Sequence, residues 1–217
     1  MILDHRSDQD VGLGIGSFAD FEVAYRKGTT DENVIRHSFD DDIFFSGVPE
    51  YQPDDGHVII DIGAHIGTFS LLSSSKVGNG KVYAIEASEE SFNLLRINVA
   101  LNQCSNISVH HFAMADKDGT CTLYHDIGNW GHSTVSKLSK FSETVRSCTL
   151  SAFLEGNQIS ECHFAKLNCE GAEFPILLST SGNVLQLIHT ILVLYHCDLW
   201  KENTEADLIS HLESNGF

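Results

Sequence analysis

The stretch Val58-Ile59-Ile60-Asp61-Ile62-Gly63-Ala64-His65-Ile66-Gly67-Thr68-Phe69-Ser70 decides the fold of this chain. It opens as a run rich in β-branched apolar residues, which is typical of a strand buried on both faces of a parallel sheet. A glycine-bearing turn follows, and the pattern after it is that of a helix. A strand, such a turn and a helix N-terminus together form a nucleotide-cofactor site, because small residues and free N–H groups let a ligand approach the main chain.

Composition restricts the class of protein and of partner. The chain has 217 residues, of which 42% are hydrophobic and 20% charged, so it suits one globular domain with a full core. Its 13 basic and 30 acidic residues give a net charge of −17. Such a surface repels phosphate backbones and anionic lipid, so we expect no nucleic-acid partner and no membrane partner. Solubility alone is the simpler explanation of the acidity.

The cysteines and the chain start indicate a reducing compartment. The 6 cysteines are scattered and form no C-x-x-C pair, so zinc-finger spacing is absent. No signal-peptide pattern opens the chain, and no apolar run is long enough to span a bilayer. We therefore expect a cytoplasmic protein with free cysteines.

From Val58 onward, strand patterns alternate with helix patterns. The predicted strands are 58–62, 82–86, 107–113, 163–169 and 190–196, and the predicted helices are about 65–76, 88–102, 172–179 and 204–215. This alternation predicts an α/β fold with a mostly parallel sheet flanked by helices. In such sheets the ligand lies beyond the carboxyl ends of the strands.

Two regions depart from that rhythm. Residues 1–57 are predicted to form an N-terminal arm and cap segment, with 1–20 loose, a strand at 21–27 and a helix at 32–39. Residues 114–160 are predicted to be an insertion over the open end of the sheet, with short strands at 121–124 and 144–150. No linker separates a second domain, so residues 58–217 form one compact unit with the arm.

The turn after the first core strand carries the first candidate cofactor residues. Asp61 could organise the loop or accept a hydrogen bond from the ligand's amino group, directly or through water. Gly63 permits the bend, and Gly67 permits close packing of the helix. The alternative is an ordinary strand-to-helix turn that binds nothing.

Glu86 strengthens the cofactor interpretation. It ends the second core strand, 23 residues after Gly63, and a carboxylate there can accept hydrogen bonds from both ribose hydroxyls of a nucleoside. The alternative is a surface glutamate beside the cap of the next helix.

The nucleoside is predicted to be S-adenosylmethionine. A dinucleotide site needs G-x-G-x-x-G, but here His65 stands where a side chain would crowd a diphosphate. Adenosylmethionine has no phosphate, and its adenine would lie after the third strand, where Asp116 could accept from the adenine amine or simply cap a turn. The predicted cofactor-binding residues are Asp61, Gly63, Ala64, His65, Gly67, Glu86, Ala87, Ala113, Met114 and Asp116.

Five motifs in register, together with the segment 26–31, resemble the FkbM family of S-adenosylmethionine-dependent methyltransferases. They are Asp61 to Ser70, Val82 to Ala87, Ala113 to Gly119, Thr149 to Leu154 and Lys166 to Glu173. The resemblance covers roughly residues 21–217. It implies a Rossmann-like class I methyltransferase fold and O-methylation of a hydroxyl on a sugar or another small natural product.

Three departures from the family pattern bear on that expectation. The family usually has Asp where this chain has Asn168 and Ser151. Methyltransferases of this class also add two strands after the last helix, so the C-terminal strands are expected to be missing from this sheet. Either the C-terminus has been cut or something else completes the edge, which would otherwise be a pairing liability. A homodimer is left open.

Three side chains on the predicted ligand edge are candidates for catalysis. A sugar or alcohol hydroxyl is a poor nucleophile, so a base or a metal should assist it. The candidate catalytic residues are His132, His196 and Glu170. The alternative for His132 is a loop residue bonded to backbone, and for His196 it is a satisfied interior histidine. Glu170 could instead cap the following helix or hold the turn. Asn168, Glu170 and His196 could instead ligate a divalent metal, which is not favoured because Asn is the weaker ligand.

Two tryptophans and two other functions remain open. Trp130 and Trp200 could stack on a sugar or aromatic acceptor or could merely cover the core. A nicotinamide oxidoreductase is disfavoured by His65 and by the missing middle glycine. A non-catalytic cofactor-binding subunit is suggested by Asn168, Ser151 and the short sheet.

Overall fold

The computed structural model describes residues 12–126 and 131–217. Ten strands and seven helices occur in these two ranges. In chain order they are β1 Leu13–Phe18, β2 Phe21–Arg26, α1 Asp31–Phe39, β3 Val58–Ile62, α2 Thr68–Lys76, β4 Lys81–Glu86, α3 Glu89–Leu101, β5 Ile107–His111, β6 Ala113–Met114, β7 Gly119–Tyr124, β8 Ser142–Cys148, α4 Leu150–Gly156, β9 Phe164–Leu167, α5 Glu173–Ser179, α6 Gly182–Leu185, β10 Ile191–Val193 and α7 Glu205–Ser214.

The central sheet has five strands in the order β10-β9-β3-β4-β5. Every neighbouring pair in it is parallel. The sheet is therefore wholly parallel with β3 at its centre, as the alternating strand and helix patterns predict. Parallel strands bring their carboxyl ends to one edge, so the residues after β3, β4 and β9 meet there.

Both faces of β3 are buried. Ile60 and Ile62 belong to one apolar core, and Ile59 belongs to the other, because successive side chains of a strand point to opposite faces. The first core also receives α4, α5 and α7, and the second receives α2, α3 and the N-terminal segment. The continuous apolar run thus has the burial that its sequence predicts.

The N-terminal segment is more ordered than predicted where it is described. Residues 13–18 form β1, which pairs antiparallel with β2, so the expectation of a loose arm over 1–20 is wrong for this part. Residues 1–11 lie outside the described residues. The buried Asn98 side chain anchors β2, because its Oδ1 accepts from Ala24 N–H at 2.7 Å and its Nδ2 donates to Ala24 O at 3.0 Å.

The region after β5 forms a second sheet in the order β6-β8-β7. The single strand predicted over 107–113 is therefore wrong, because β5 ends at His111 and Ala113 and Met114 pair with β8 instead. The insertion also contributes to the main core through α4, whose Leu150, Phe153 and Leu154 are buried.

The helix after β3 begins later than predicted. α2 starts at Thr68 because Gly63, His65 and Gly67 have φ values of +76°, +54° and +91°, which are incompatible with a right-handed helix. β9 and β10 are shorter than the predicted strands 163–169 and 190–196. Among the described helices, none combines the length and apolar character needed to cross a bilayer.

Candidate active site

A pocket opens beyond the carboxyl ends of β3, β4 and β9. It is lined by the turn after β3 and by the ends of β4 and β6. The loop after β9 and Gly131, His132 and Thr134 of the insertion also line it. α1 and the loop after it close a further side with Val34, His37, Ile43 and Phe44. The pocket therefore lies where the parallel sheet predicts a ligand site.

Glycine is required at two positions of the turn. A Cβ on Gly63 would lie 1.9 Å from the carbonyl oxygen of Asn168, and one on Gly67 would lie 2.5 Å from Leu95 Cδ1. Both residues also have positive φ, which glycine adopts without steric cost. Gly63 borders the pocket, whereas Gly67 lies against α3 and does not line it. Close helix packing is the role that the sequence predicts for Gly67.

Glu86 is the main polar group at the end of β4. Its side chain lines the pocket, and the residue is only 8% exposed. His65 N–H donates to Oε2 and Ser88 N–H to Oε1, both at 2.8 Å. Burial raises the pKa of Glu86, an effect that these two bonds oppose. Each carboxylate oxygen keeps one lone pair, so Glu86 can still accept from two hydroxyls.

Asp61 does not reach the pocket. It is 0% exposed, and its oxygens accept from Ser70 Oγ at 2.6 Å and from Lys166 Nζ at 2.9 Å. Of the two roles predicted for Asp61, organising the loop agrees with these bonds, whereas direct contact with a ligand does not, because Asp61 is fully buried and does not line the pocket. Lys166 also donates to Gly63 O at 2.9 Å and lines the pocket. Asp61 thus holds Lys166 against the cofactor turn.

The residues predicted around an adenine divide into two groups. Ala87, Ala113 and Met114 line the pocket, as do Ala64 and His65 of the turn. Asp116 does not, because its side chain is 43% exposed and lies 3.5 Å from Lys117 Nζ. The structure therefore brings together Gly63, Ala64, His65, Glu86, Ala87, Ala113 and Met114, and leaves Asp61, Gly67 and Asp116 outside the pocket surface.

His132 and Glu170 both line the pocket. His132 Nδ1 accepts from Asp126 N–H at 3.1 Å, which is the backbone bond that its structural alternative requires. Ser133 Oγ donates to Glu170 O at 2.7 Å, and a Cβ on Gly131 would lie 2.2 Å from Glu170 Cδ. The loop at 131–134 is therefore packed directly on Glu170.

His196 lies behind Glu170 and does not itself line the pocket. Its Nε2 is 3.4 Å from Glu170 Oε2, and its Nδ1 is 3.6 Å from Glu173 Oε1. The carboxylate of Glu173 raises the pKa of His196. Burial opposes this effect, and the negative charge of Glu170 adds to it. Burial raises the pKa of Glu170 above its usual range, although the charge of His196 opposes this. The two residues form a coupled pair with only Glu170 facing the pocket.

The structure also places three possible metal ligands far from this pocket. Glu161, His163 and His189 have ligand atoms within 4.8 Å of one another, at the opposite end of β9. Val58 N–H donates to His163 Nδ1 at 3.1 Å, so the neutral ring carries its proton on Nε2. If a metal bound Nε2, the neutral ring would carry its proton on Nδ1. Nδ1 could then no longer accept from Val58 N–H, and this loss disfavours ligation.

Several functional residues were not predicted from the sequence. Lys166 was read only as part of a motif, although its pairing with Asp61 across neighbouring strands follows from their register. Arg26 is 1% exposed and reaches His65, and the sequence indicates it only as part of the segment 26–31, with no role of its own. Trp130 lies outside the described residues. Trp200 packs against the main core and donates to Asn203 Oδ1 at 3.3 Å, so it favours the structural interpretation.

Two buried polar atoms of pocket-lining residues lack a partner among the described residues. They are His65 Nδ1 and Asn168 Oδ1. Six other buried polar atoms, in described residues that do not line the pocket, also lack a partner. Buried polar groups are normally hydrogen-bonded, and the two atoms in pocket-lining residues would be satisfied by a ligand that offers both a donor and an acceptor. The amino-acid tail and ribose of adenosylmethionine supply such groups, and the residues present therefore fit that cofactor.

The known proteins to which this chain is similar include methyltransferases. The methyltransferase FkbM domain matches residues 61–217. A curated protein of Beauveria bassiana (strain ARSEF 2860), "Methyltransferase 1", is 27% identical over 186 residues, which are 76% of this chain and 73% of that protein.

One of the matching solved structures shows a likeness of fold. Precorrin-6y C5,15-methyltransferase from Geobacter metallireducens GS-15 matches with a TM-score of 0.51 and 16% identity, over 91% of this chain and 78% of that one. Methyltransferase FkbM from Methylobacillus flagellatus KT matches with a TM-score of 0.44 and 18% identity, over 66% of this chain. The matched part is 33% of that protein's length.

Proposed function

The chain belongs to the FkbM methyltransferase domain family, and from this premise we propose that it transfers the methyl group of S-adenosylmethionine to a hydroxyl of a small molecule. A sugar or another hydroxylated natural product is the proposed acceptor class. The observation that carries the proposal is one pocket lined by two carboxylates, Glu86 at the end of β4 and Glu170 in the loop after β9.

Glu86 supports the cofactor half of the proposal. Its buried carboxylate is fixed by the N–H groups of His65 and Ser88, so its free lone pairs have defined directions. A pair of adjacent ribose hydroxyls matches them. Ala87, Ala113 and Met114 supply an apolar surface beside Glu86 for the adenine. Adenosylmethionine has no phosphate, so the His65 side chain, which would crowd a diphosphate, does not conflict with its binding.

Glu170 supports the acceptor half. The bound cofactor supplies an electrophilic methyl group on a positively charged sulfur. Transfer of that methyl group to the acceptor oxygen would break its bond to sulfur, and Glu170 would accept the hydroxyl proton. A carboxylate with a raised pKa is the better proton acceptor near neutral pH. His196 is a positioning residue, because it holds Glu170 from behind and does not line the pocket.

The proposal is tested by methyl transfer to a panel of hydroxylated compounds. Isotope-labelled S-adenosylmethionine is incubated with wild-type protein, and products are identified by mass spectrometry. We expect one class of O-methylated product, and a decrease in kcat of roughly a hundredfold or more in Glu170→Gln. Glu155→Gln, on the exposed surface of α4, is the matched control and should keep full activity. Unchanged kcat in Glu170→Gln would refute the assignment of the base.

A further inference from the structure

A buried cluster joins the N-terminal segment to the cofactor turn. We call Arg26, Asp31 and His65 the anchor cluster. Arg26 lies at the end of β2 and Asp31 at the start of α1, and they are 1% and 0% exposed. Arg26 Nε donates to Asp31 Oδ2 at 2.9 Å, and Nη2 donates to Asp31 Oδ1 at 2.8 Å. This two-bond pairing fixes the plane of the guanidinium.

The guanidinium determines which nitrogen of His65 carries the proton. Arg26 Nη2 lies 3.0 Å from His65 Nε2. A guanidinium has no acceptor, so Nε2 accepts in this contact, although Asp31 Oδ1 lies 3.4 Å from the same nitrogen and Ser91 Oγ lies 3.2 Å from Nη2. Burial lowers the pKa of His65 to about 4, with Arg26 and Lys166 acting in the same direction and Asp31 and Glu90 opposing them. A neutral ring that accepts at Nε2 carries its proton on Nδ1, which is then a donor.

That donor has no acceptor among the described residues. His65 Nδ1 is buried and unpartnered, although His65 lines the pocket. Leaving a buried donor unsatisfied is destabilising, so a ligand acceptor at this point is favoured.

The surroundings of His65 favour an anionic acceptor. His65 precedes the N-terminus of α2, and Thr68 and Phe69 of its first turn line the same pocket. The first turn of a helix offers N–H groups and a partial positive charge. Lys166 Nζ, which holds Gly63 O, adds a cation to this side of the pocket. In adenosylmethionine the only anionic group is the carboxylate of its amino-acid tail.

We propose that Arg26, held by Asp31, fixes His65 in the tautomer whose Nδ1–H donates to the carboxylate of S-adenosylmethionine. Arg26 and Asp31 are then positioning residues that act through His65. This inference rests on the proposed function. It assigns a cofactor-binding task to a segment that precedes the family match at 61–217.

The tautomer is measured directly by nitrogen-15 NMR of the full chain labelled at histidine. His65→Asn, which suits a positive φ, identifies the His65 signals by their loss. We expect the shift pattern of a neutral ring protonated on Nδ1 in wild-type protein. A ring protonated on Nε2 would overturn the proposal without any variant.

The carboxylate contact is tested by calorimetric binding of S-adenosylmethionine and of its decarboxylated analogue. We expect wild-type protein to favour the complete cofactor by about tenfold or more, as for a hydrogen bond to a charged group. In Arg26→Met the affinity ratio should fall to within about twofold to threefold of unity. Arg26→Met with Asp31→Asn is a second variant that leaves no buried unpaired carboxylate. Lys27→Met, at the exposed neighbouring residue, should keep the wild-type ratio.

The outcomes separate this inference from the function on which it rests. Folded wild-type protein that binds neither compound would overturn both. Wild-type binding of the two compounds with equal affinity would overturn the inference alone. Equal loss of affinity for both compounds in the variants, with the ratio kept, would also overturn it, because a purely structural role of Arg26 gives that result.

Discussion

At the residue scale, Gly63 shows how tightly the cofactor turn is packed against the loop after β9. Its positive φ is shared by Gly28, but an added Cβ meets nothing within 4 Å at Gly28 and lies 1.9 Å from Asn168 O at Gly63. Alanine substitutions at the two glycines can therefore distinguish the free-energy cost of the backbone conformation from that of a steric clash.

We expect Gly63→Ala to lower the free energy of unfolding by about 3 kcal/mol or more, and Gly28→Ala by about 1 kcal/mol. The larger effect adds displacement of the Asn168 backbone to the strain of a left-handed alanine. Urea unfolding followed by circular dichroism measures both values. Equal losses in the two variants would contradict the close contact at Gly63.

Glu170 and His196 give a second residue-scale prediction, for the dependence of rate on pH. A base must be ionised, so kcat/KM should fall as the pH drops through the raised pKa of Glu170. The positive charge of His196 lowers that pKa, whereas Glu173, Asp198 and Asp126 raise it. His196→Asn removes the opposing charge, so the acid limb should move to higher pH.

Profiles of kcat/KM against pH for wild-type protein and His196→Asn measure this shift. Asn203→Ala, which removes the hydrogen-bond partner of Trp200 and leaves the Glu170–His196 pair untouched, serves as the control. An acid limb that stays in place or moves to lower pH in His196→Asn would contradict the coupling of the two residues.

Individual side-chain roles could be predicted only in part. Glu86 was identified because its position at a strand end and its spacing from Gly63 are local properties of the sequence. Asp61 was predicted either to organise the loop or to accept a hydrogen bond from the ligand, and its complete burial against Ser70 and the distant Lys166 supports the first role. Whether a side chain reaches the pocket depends on such distant partners, and no local sequence pattern predicts these contacts.

At the scale of elements, Asn98 links the N-terminal hairpin to the cofactor turn. Its amide bonds both backbone groups of Ala24, and Nδ2 also donates to Ile66 O at 2.8 Å. Asn102, the first residue after α3, makes the same pair of bonds to Glu22 in an exposed setting. The two asparagines are therefore a matched pair that differs chiefly in burial.

We expect Asn98→Ala to cost about 3 kcal/mol of folding free energy, because it leaves buried backbone groups of Ala24 and Ile66 unsatisfied. Asn102→Ala should cost less than about 1 kcal/mol, because water replaces its bonds. Chemical denaturation of both variants provides the comparison. A loss at Asn102 as large as that at Asn98 would contradict the anchoring role of the buried amide.

Element type was easier to predict than element ends. The parallel strands were recognised because each is a local apolar run between turn signals. The break between β5 and β6 was missed because Ala113 and Met114 pair with Ser147 and Cys148, which only the tertiary fold brings near. The late start of α2 follows from three left-handed residues, one of which, His65, is not a glycine.

At the scale of the whole molecule, the pocket is shared between the family domain and the segment before it. The match begins at residue 61, yet α1 and its following loop supply Val34, His37, Ile43 and Phe44 to the pocket wall. The sheet and its ligand edge could be predicted from the sequence. The part of the pocket around Glu170 could not be predicted. The loop at 131–134 is positioned there by its contact with Glu170, and no repeating pattern in the sequence indicates that contact.

The central claim is that this pocket binds S-adenosylmethionine through Glu86, and calorimetric titration of the cofactor into wild-type protein and Glu86→Gln tests it most directly. The Gln side chain replaces one acceptor oxygen by a donor that faces a backbone N–H, so we expect one-site binding to wild-type protein and a loss of about tenfold or more in the variant. Glu89→Gln, exposed at the start of α3, should bind as wild type, and NAD should not bind. Folded wild-type protein that does not bind the cofactor, or unchanged affinity in Glu86→Gln, would contradict the claim.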